Sequence, residues 1–204
     1  MTQMVRQLET PRGPARAHLH PVDEARAALI LGHGAGGGVD SPDLVAARGA
    51  ALEADITVAL VEQPYRVAGR RSPPRIELLE EAWIAVVEQL RSDELADLDL
   101  LAGGRSLGGR VACRTLEATG AEAVVCLAFP LQPRARSGKP PPPSRLPELE
   151  AVTVPTLVVQ GTADPFGMPP AAEGREVVEV PGTHSLRTDL DAVADAVSDW
   201  LRRR

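Results

Sequence analysis

The chain has 204 residues, a formal net charge of −6 and an aromatic content of 2%, and its length is enough for one ordinary domain with a buried core. The acidic balance argues against nucleic acid and anionic membranes as partners, because both attract basic surfaces. No run of residues reaches membrane-spanning length, and the first residues, MTQMVRQLETPRG, lack the apolar core of a secretory leader. Cys113 and Cys126 are expected to be reduced core residues of a cytoplasmic protein.

Eight strands are predicted along the chain. VRQLE and ARAHLHP flank the turn signal at residues 11–14 and predict an N-terminal hairpin. Six further runs are continuously apolar, which is typical of parallel strands buried on both faces. These runs are LILGH (29–33), ITVALVE (56–62), LDLLAG (98–103), AVVCLAF (123–129), TLVVQG (156–161) and EVVEV (176–180).

Helical patterns lie between several of these strands. Ser41 and Pro42 provide an N-cap and a first-turn proline, and apolar residues recur every three or four positions over residues 76–90 and 190–200. Alternating strands and helices predict an α/β fold over residues 1–204, with a mostly parallel sheet covered by helices on both faces. Residues 133–147 are rich in proline and predict a surface loop.

The sequence GRSLG, residues 104–108, has the pattern G-x-S-x-G and follows a predicted strand. In a nucleophile elbow of this pattern, a strained turn from strand to helix exposes the serine hydroxyl at the top of the sheet. Side chains two residues before and after the serine would clash in that turn. We therefore expect Ser106 to be a nucleophile, the alternative being a glycine-rich turn without chemistry.

A serine hydroxyl needs a base that accepts its proton, and that base needs a carboxylate to orient it. His184 is the single histidine after Ser106, and it follows the last predicted strand. Asp164 follows TLVVQG, so all three residues are expected at the carboxyl edge of the sheet. The order nucleophile, acid, base along the chain is known for serine hydrolases built on such a sheet. The sequence therefore predicts a triad of Ser106, His184 and Asp164.

Two backbone N–H groups are expected to bind the oxyanion of an acyl-transfer reaction. The first belongs to Leu107, directly after the nucleophile. The second is expected in the loop HGAGGG, residues 33–38, where the small residues let amides approach the substrate. We place it at Ala35, with Gly36 as the alternative, and expect Gly34 to border the substrate as well. The histidine that opens this loop is expected to brace it by hydrogen bonds.

Several further residues near the predicted mouth are candidates for substrate binding. Arg66, Arg70 and Arg105 can form a fork for a carboxylate or phosphate, although surface charge or salt bridges to nearby Glu residues are the explanation that we favour. Tyr65, the single tyrosine, is a candidate for lining the pocket.

A competing pattern is G-x-G-x-x-G at residues 32–37, which follows a strand as in dinucleotide-binding sites, with Glu62 at the end of the next strand. Against it, the next helix is predicted to begin only at Ser41 and Pro42, so its amino end would miss a pyrophosphate. Dinucleotide binding therefore stays an alternative hypothesis to the serine hydrolase. Our preferred interpretation implies no cofactor and no metal.

The motifs HGAGGG, GRSLG, GTADPFG and GTHSL, in that order, resemble those of the α/β-hydrolase family over essentially the whole chain. More narrowly, GHGAGGGVDSPDL, VEQPYRVAGRR, GGRSLGGRVA and AFPL resemble a small capless group near the dienelactone-hydrolase branch. The resemblance implies an eight-stranded α/β-hydrolase sheet without a separate cap domain, the loop at 133–147 standing where a lid is commonly inserted. Ser106 replaces the cysteine of the dienelactone hydrolases, so their substrate does not carry over.

We therefore expect a serine hydrolase that acts on a small-molecule acyl substrate, an ester or a thioester, through an acyl-enzyme. The alternative within the same fold is a catalytically idle protein that serves as an interaction module, because some relatives of the small group are thought to work in protein complexes. The sequence gives no indication of the oligomeric state.

Overall fold

The computed structural model describes residues 3–135, 138 and 140–204. Positions 136, 137 and 139 of the predicted proline-rich loop therefore lie outside the described residues. The elements, in chain order, are β1 (Met4–Leu8), β2 (Ala15–His20), β3 (Ala27–Gly32), α1 (Pro42–Leu52), β4 (Ile56–Glu62), α2 (Pro64–Val67), α3 (Ile76–Arg91), β5 (Asp99–Arg105), α4 (Leu107–Arg114), α5 (Leu116–Thr119), β6 (Ala123–Leu127), α6 (Leu146–Glu150), β7 (Thr156–Gly161), β8 (Arg175–Val180) and α7 (Leu190–Arg202).

The eight strands form one sheet in the order β1-β2-β4-β3-β5-β6-β7-β8. β1 pairs with β2 and β2 with β4 in antiparallel fashion, whereas the remaining pairs are parallel. This sheet confirms the predicted fold class. The carboxyl ends of β3 and β5 are neighbours, and the chain leaves β3 toward β4 on its other side, which creates the crevice where α/β sheets bind ligands.

Helices cover both faces of the sheet and close two hydrophobic cores. Trp83 of α3 and Val111 of α4 belong to one core, and Leu44 of α1 and Trp200 of α7 belong to the other. Successive residues of β3 alternate between the two cores. The strands are continuously apolar because each of their faces packs against helices.

Two short helices, α2 and α6, were not predicted, since four or five residues are too few for a helical period to register. Both contain a proline in the first turn, which suits a helix start. α6 begins at Leu146, so the predicted loop at 133–147 ends slightly earlier than expected. The helical segment after Ser106 is divided into α4 and α5 at Thr115 and ends at Gly120, whose φ is 62°.

Among the residues that the structure covers, no helix has both the length and the apolar character needed to span a bilayer.

Cys113 and Cys126 are buried free thiols whose Sγ atoms lie 3.6 Å apart, between α4 and β6. Burial and its thiol neighbour raise the pKa of Cys113, the hydrogen bond to Cys126 contributing most.

Candidate active site

Ser106 connects β5 to α4 with a φ of 51° and a ψ of −105°. A non-glycine residue rarely adopts a positive φ, and such strain is concentrated at functional sites. Gly104 and Gly108 pack directly on β3, where a Cβ on either residue would overlap the carbonyl oxygen of Gly32. The glycines on both sides of the serine are therefore required by the close approach of β3.

Three side chains form a hydrogen-bonded chain at the carboxyl edge of the sheet. His184 Nε2 lies 2.9 Å from Ser106 Oγ, and His184 Nδ1 lies 2.8 Å from Asp164 Oδ2. A carboxylate only accepts hydrogen bonds, so it selects the imidazole tautomer with the proton on Nδ1. Nε2 is then free to accept the serine proton. The structure thus brings together the three residues of the predicted triad.

The carboxylate of Asp164 is held by groups that sequence reasoning missed. Gln160 Nε2 donates to Oδ2 at 2.9 Å, and the backbone N–H of Phe166 donates to Oδ1 at 2.9 Å. The ring of Phe166 also packs against the imidazole of His184, with 4.5 Å between ring centroids. A glutamine at the end of the apolar run TLVVQG is the signal that would have identified Gln160, since it is fully buried in β7.

The loop at residues 33–38, called the oxyanion loop after the role that the sequence predicts for it, follows β3 and is oriented by His33. The backbone N–H of Gln63 donates to His33 Nε2 at 3.2 Å, which leaves the ring proton on Nδ1, and Nδ1 donates to the Gly34 carbonyl at 2.8 Å. The C=O and N–H of a trans peptide point in opposite directions. The N–H of Ala35 is therefore directed away from the histidine, which braces the loop as its position suggested.

Tyr65 holds the next peptide of this loop. It is buried, and its hydroxyl donates to the Ala35 carbonyl at 2.9 Å, which directs the N–H of Gly36 to the opposite side. Burial raises the pKa of Tyr65 to about 12, so its hydroxyl stays protonated and able to donate at neutral pH. Within the part of the chain that the structure describes, the N–H groups of Ala35, Gly36 and Leu107 donate to no protein acceptor. They are free to bind a substrate oxygen.

The arginines singled out in the sequence lie in different surroundings. Arg105 Nε lies 2.8 Å from the buried Oδ2 of Asp43, and Arg105 Nη2 donates to the His184 carbonyl at 3.1 Å. Arg66 Nη1 donates to the Arg70 carbonyl at 3.4 Å. Arg70 lines a cavity of about 160 Å³ at the end of β4, two strands away from the elbow in the sheet, or roughly 10 Å.

The geometry of the glycine-rich stretch at residues 32–37 does not favour dinucleotide binding. α1 begins at Pro42, beyond the last glycine, so its amino end is separated from the loop by several residues. Gly32 packs against Gly104 and Gly108 of the elbow, so the close approach of the elbow accounts for the first glycine of the pattern without a nucleotide.

Comparison with known proteins gives a family match over most of the chain. The family model for an alpha/beta hydrolase domain matches residues 25–193. A lidless serine hydrolase from Xanthomonas campestris is similar in structure, with a TM-score of 0.78 and 20% sequence identity over 100% of this chain and 95% of that one. No curated protein is significantly similar in sequence.

Two further solved structures share the fold. Est1E from Butyrivibrio proteoclasticus has a TM-score of 0.76 and 16% identity over 98% of each chain. The dienelactone hydrolase from Anabaena variabilis has a TM-score of 0.76 and 18% identity over 99% of this chain and 97% of that one. At these identities the likeness is one of fold. The similar structures include a lidless hydrolase and a dienelactone hydrolase, in agreement with the group that the sequence motifs resemble.

Proposed function

Since the chain belongs to the alpha/beta hydrolase family, we propose that it is a serine hydrolase that cleaves a small ester or thioester. The observation that carries the proposal is the continuous hydrogen-bonded chain from Ser106 Oγ through the His184 imidazole to Asp164. Such a chain activates a hydroxyl that is otherwise a weak nucleophile. The strained backbone of Ser106 and the free N–H groups beside it support the same chemistry.

In the proposed reaction, Ser106 Oγ attacks the acyl carbonyl carbon while His184 Nε2 accepts the hydroxyl proton. The negative charge that develops on the carbonyl oxygen is bound by the N–H groups of Leu107 and Ala35. When the tetrahedral intermediate collapses, the bond to the leaving group breaks, and the leaving oxygen or sulfur takes the proton from Nε2. Water then adds to the acyl-enzyme by the same steps and releases the acid, while Asp164 keeps the imidazole oriented throughout.

We propose that the chain acts as one catalytic domain, in which the proline-rich loop replaces a lid, so that small or flexible acyl groups are the preferred substrates. The lidless neighbour from Xanthomonas campestris supports this architecture. Est1E has been seen with ferulic acid bound, which makes aryl-substituted acyl groups worth including in a substrate panel. Arg66 and Arg70 are the candidates for contacting an anionic end of the substrate.

A fluorophosphonate probe tests the nucleophile directly. We expect the wild-type protein to be labelled, Ser106→Ala to be unlabelled, and Ser92→Ala, a substitution at the end of α3, to be labelled like wild type. Absence of labelling in wild type would contradict the proposal and favour the idle interaction module. A panel of p-nitrophenyl esters and thioesters of increasing acyl length then identifies the substrate class.

A further inference from the structure

Arg105 is the last residue of β5, and its side chain contacts three separate parts of the site. Nε lies 2.8 Å from Asp43 Oδ2, and Nη2 donates to the carbonyl oxygen of His184 at 3.1 Å. Nη1 covers Gly34, where an added Cβ would lie 2.5 Å from it. We propose that Arg105 is a positioning residue that holds the elbow of Ser106, the loop of His184 and the oxyanion loop together, an inference that rests on the proposed function.

The shape of the guanidinium explains why one side chain can restrain several loops. Its donors lie in a rigid plane and point in fixed directions, whereas the ammonium group of lysine is a single atom on a flexible stem. The Nε and Nη2 atoms of Arg105 therefore fix the direction of Asp43 relative to the backbone of His184. Movement of Asp43 weakens the ion pair, and movement of the His184 loop breaks the hydrogen bond, of the same planar group.

Asp43 extends this restraint to the helix that follows the oxyanion loop. It lies in the first turn of α1, a few residues beyond that loop, and only 1% of its side chain is exposed. Burial raises the pKa of Asp43, and the positive charge of Arg105 opposes this shift most strongly. Buried ion pairs add little net stability compared with apolar pairs, so the main consequence of this pair is the geometry that it imposes.

The sequence left two interpretations of Arg105 open, a fork for an anionic substrate and a salt bridge to a nearby acidic residue, and the contacts favour the second. A bidentate grip on a substrate carboxylate needs two free N–H groups on one edge of the guanidinium. Two of the three guanidinium nitrogens already contact protein acceptors, and 17% of the side chain is exposed. Asp43 also neutralises the charge that would attract an anion. The two roles predict different kinetics, which makes them separable.

The test compares Arg105→Lys and Asp43→Asn with wild type on a neutral ester, p-nitrophenyl acetate, and an anionic one, mono-p-nitrophenyl succinate. Misplacement of catalytic groups by about 1 Å costs roughly 10²-fold in rate, so we expect kcat to fall about 10- to 100-fold for both esters, with KM nearly unchanged. Arg110→Lys is the matched control, since Arg110 of α4 forms a similar, mostly buried pair with Glu148 of α6, at 2.8 and 2.6 Å. It should retain the wild-type kcat.

Two kinetic results would overturn the proposal: an unchanged kcat in folded Arg105→Lys and Asp43→Asn proteins, or a rise in KM confined to the anionic ester. If Arg105→Lys does not fold, Asp43→Asn alone decides the matter.

Nuclear magnetic resonance of protein labelled with ¹⁵N-histidine gives a readout that does not depend on activity. We expect the hydrogen-bonded Nδ1 proton of His184 to give a sharp resonance in wild type and in Arg110→Lys, and a shifted or broadened one in Arg105→Lys. An identical resonance in all three proteins would contradict the positioning role. Absence of fluorophosphonate labelling in wild type would instead contradict the proposed function. The comparison of the His184 resonance among the three proteins would still test the positioning role of Arg105.

Discussion

The Nε2 atom of His184 lies 2.9 Å from the Oγ atom of Ser106, although 78 positions separate the two residues along the chain. Ser106 follows β5, and His184 follows β8, which is three strands away in the sheet, or roughly 14 Å at the usual strand spacing. The loop after β8 must therefore pass back over the carboxyl end of β7. The backbone N–H of Ala163 donates to the Gly182 carbonyl at 2.8 Å and ties the two loops together on this path.

Asp164→Asn is expected to lower kcat by roughly 10³- to 10⁴-fold. Both carboxylate oxygens face donors, because Gln160 and the His184 ring donate to Oδ2 and the N–H of Phe166 donates to Oδ1. The asparagine NH₂ group must then point at one of these donors, and either placement disturbs the imidazole or its tautomer. Steady-state hydrolysis of p-nitrophenyl acetate measures the loss.

The matched control for this substitution is Asp189→Asn, in which the changed residue caps α7 by accepting from the N–H of Ala192. Asparagine is as good an N-cap as aspartate, so kcat and the melting temperature should both stay close to wild type. A variant with Asp164→Asn that kept more than a tenth of the wild-type kcat would show that the carboxylate does not act on the imidazole.

His33→Leu is expected to lower kcat about 10²-fold with little change in KM, the usual cost of losing one oxyanion donor. The substitution removes the donor to the Gly34 carbonyl and so releases the peptide that carries the N–H of Ala35. Tyr65→Phe removes only the hydroxyl that holds the Ala35 carbonyl, and so releases the N–H of Gly36. Kinetics on a neutral ester should show the larger loss for His33→Leu. The reverse order would assign the donor to Gly36.

The architecture of the site could be predicted because each candidate side chain stands at the end of an apolar run. Ser106, Asp164 and His184 each follow a strand of the parallel part of the sheet, and parallel strands bring their carboxyl ends to one edge. The order of the runs and the glycines of the elbow were therefore enough to place all three at that edge without knowing how the strands are ordered.

Contacts between distant elements could not be predicted in the same way. The pairing of Arg105 with Asp43 joins β5 to the first turn of α1, and it depends on the direction of each side chain within the folded sheet. From the sequence, Arg105 can be placed at the mouth of the site, but Asp43 cannot be identified as its partner. Gln160 stands out in the sequence as the polar end of an apolar run, but its contact with Asp164 arises only where the chain turns back after β7.

Two glycine-to-alanine substitutions are expected to act in opposite directions on stability. A Cβ on Gly108 would overlap the carbonyl oxygen of Gly32, a backbone atom that cannot move aside without displacing β3. Gly49 lies within α1 with no atom near the position of a Cβ, so alanine there should stabilise the protein by about 0.5–1 kcal/mol.

Urea unfolding of both variants measures this difference. Gly108→Ala should give a markedly lower midpoint or no folded protein, and Gly49→Ala a higher midpoint at an unchanged slope. A Gly108→Ala protein with wild-type stability would mean that the elbow and β3 are not in the close contact described above.

Stability is expected to fall as the pH drops below about 6.5, because two histidines have lowered pKa values in the folded protein. Burial lowers the pKa of His33 from its ordinary value of 6.5. Burial, followed by the charges of Arg48 and His18, lowers the pKa of His20. In the window between the folded and unfolded pKa values the unfolded chain binds more protons, so acid favours unfolding there.

Urea unfolding curves at a series of pH values between about 8 and 5 measure this dependence, and His20→Gln provides the variant that isolates one contribution. The free energy of unfolding should decrease toward acid pH in wild type and decrease less steeply in His20→Gln. Asp43 acts with the opposite sign, since burial raises its pKa from 3.8. A carboxyl with a raised pKa loses its stabilising contribution as the pH rises from its unfolded to its folded pKa. A His20→Gln protein whose free energy of unfolding changed with pH as steeply as that of wild type would contradict the lowered pKa of His20.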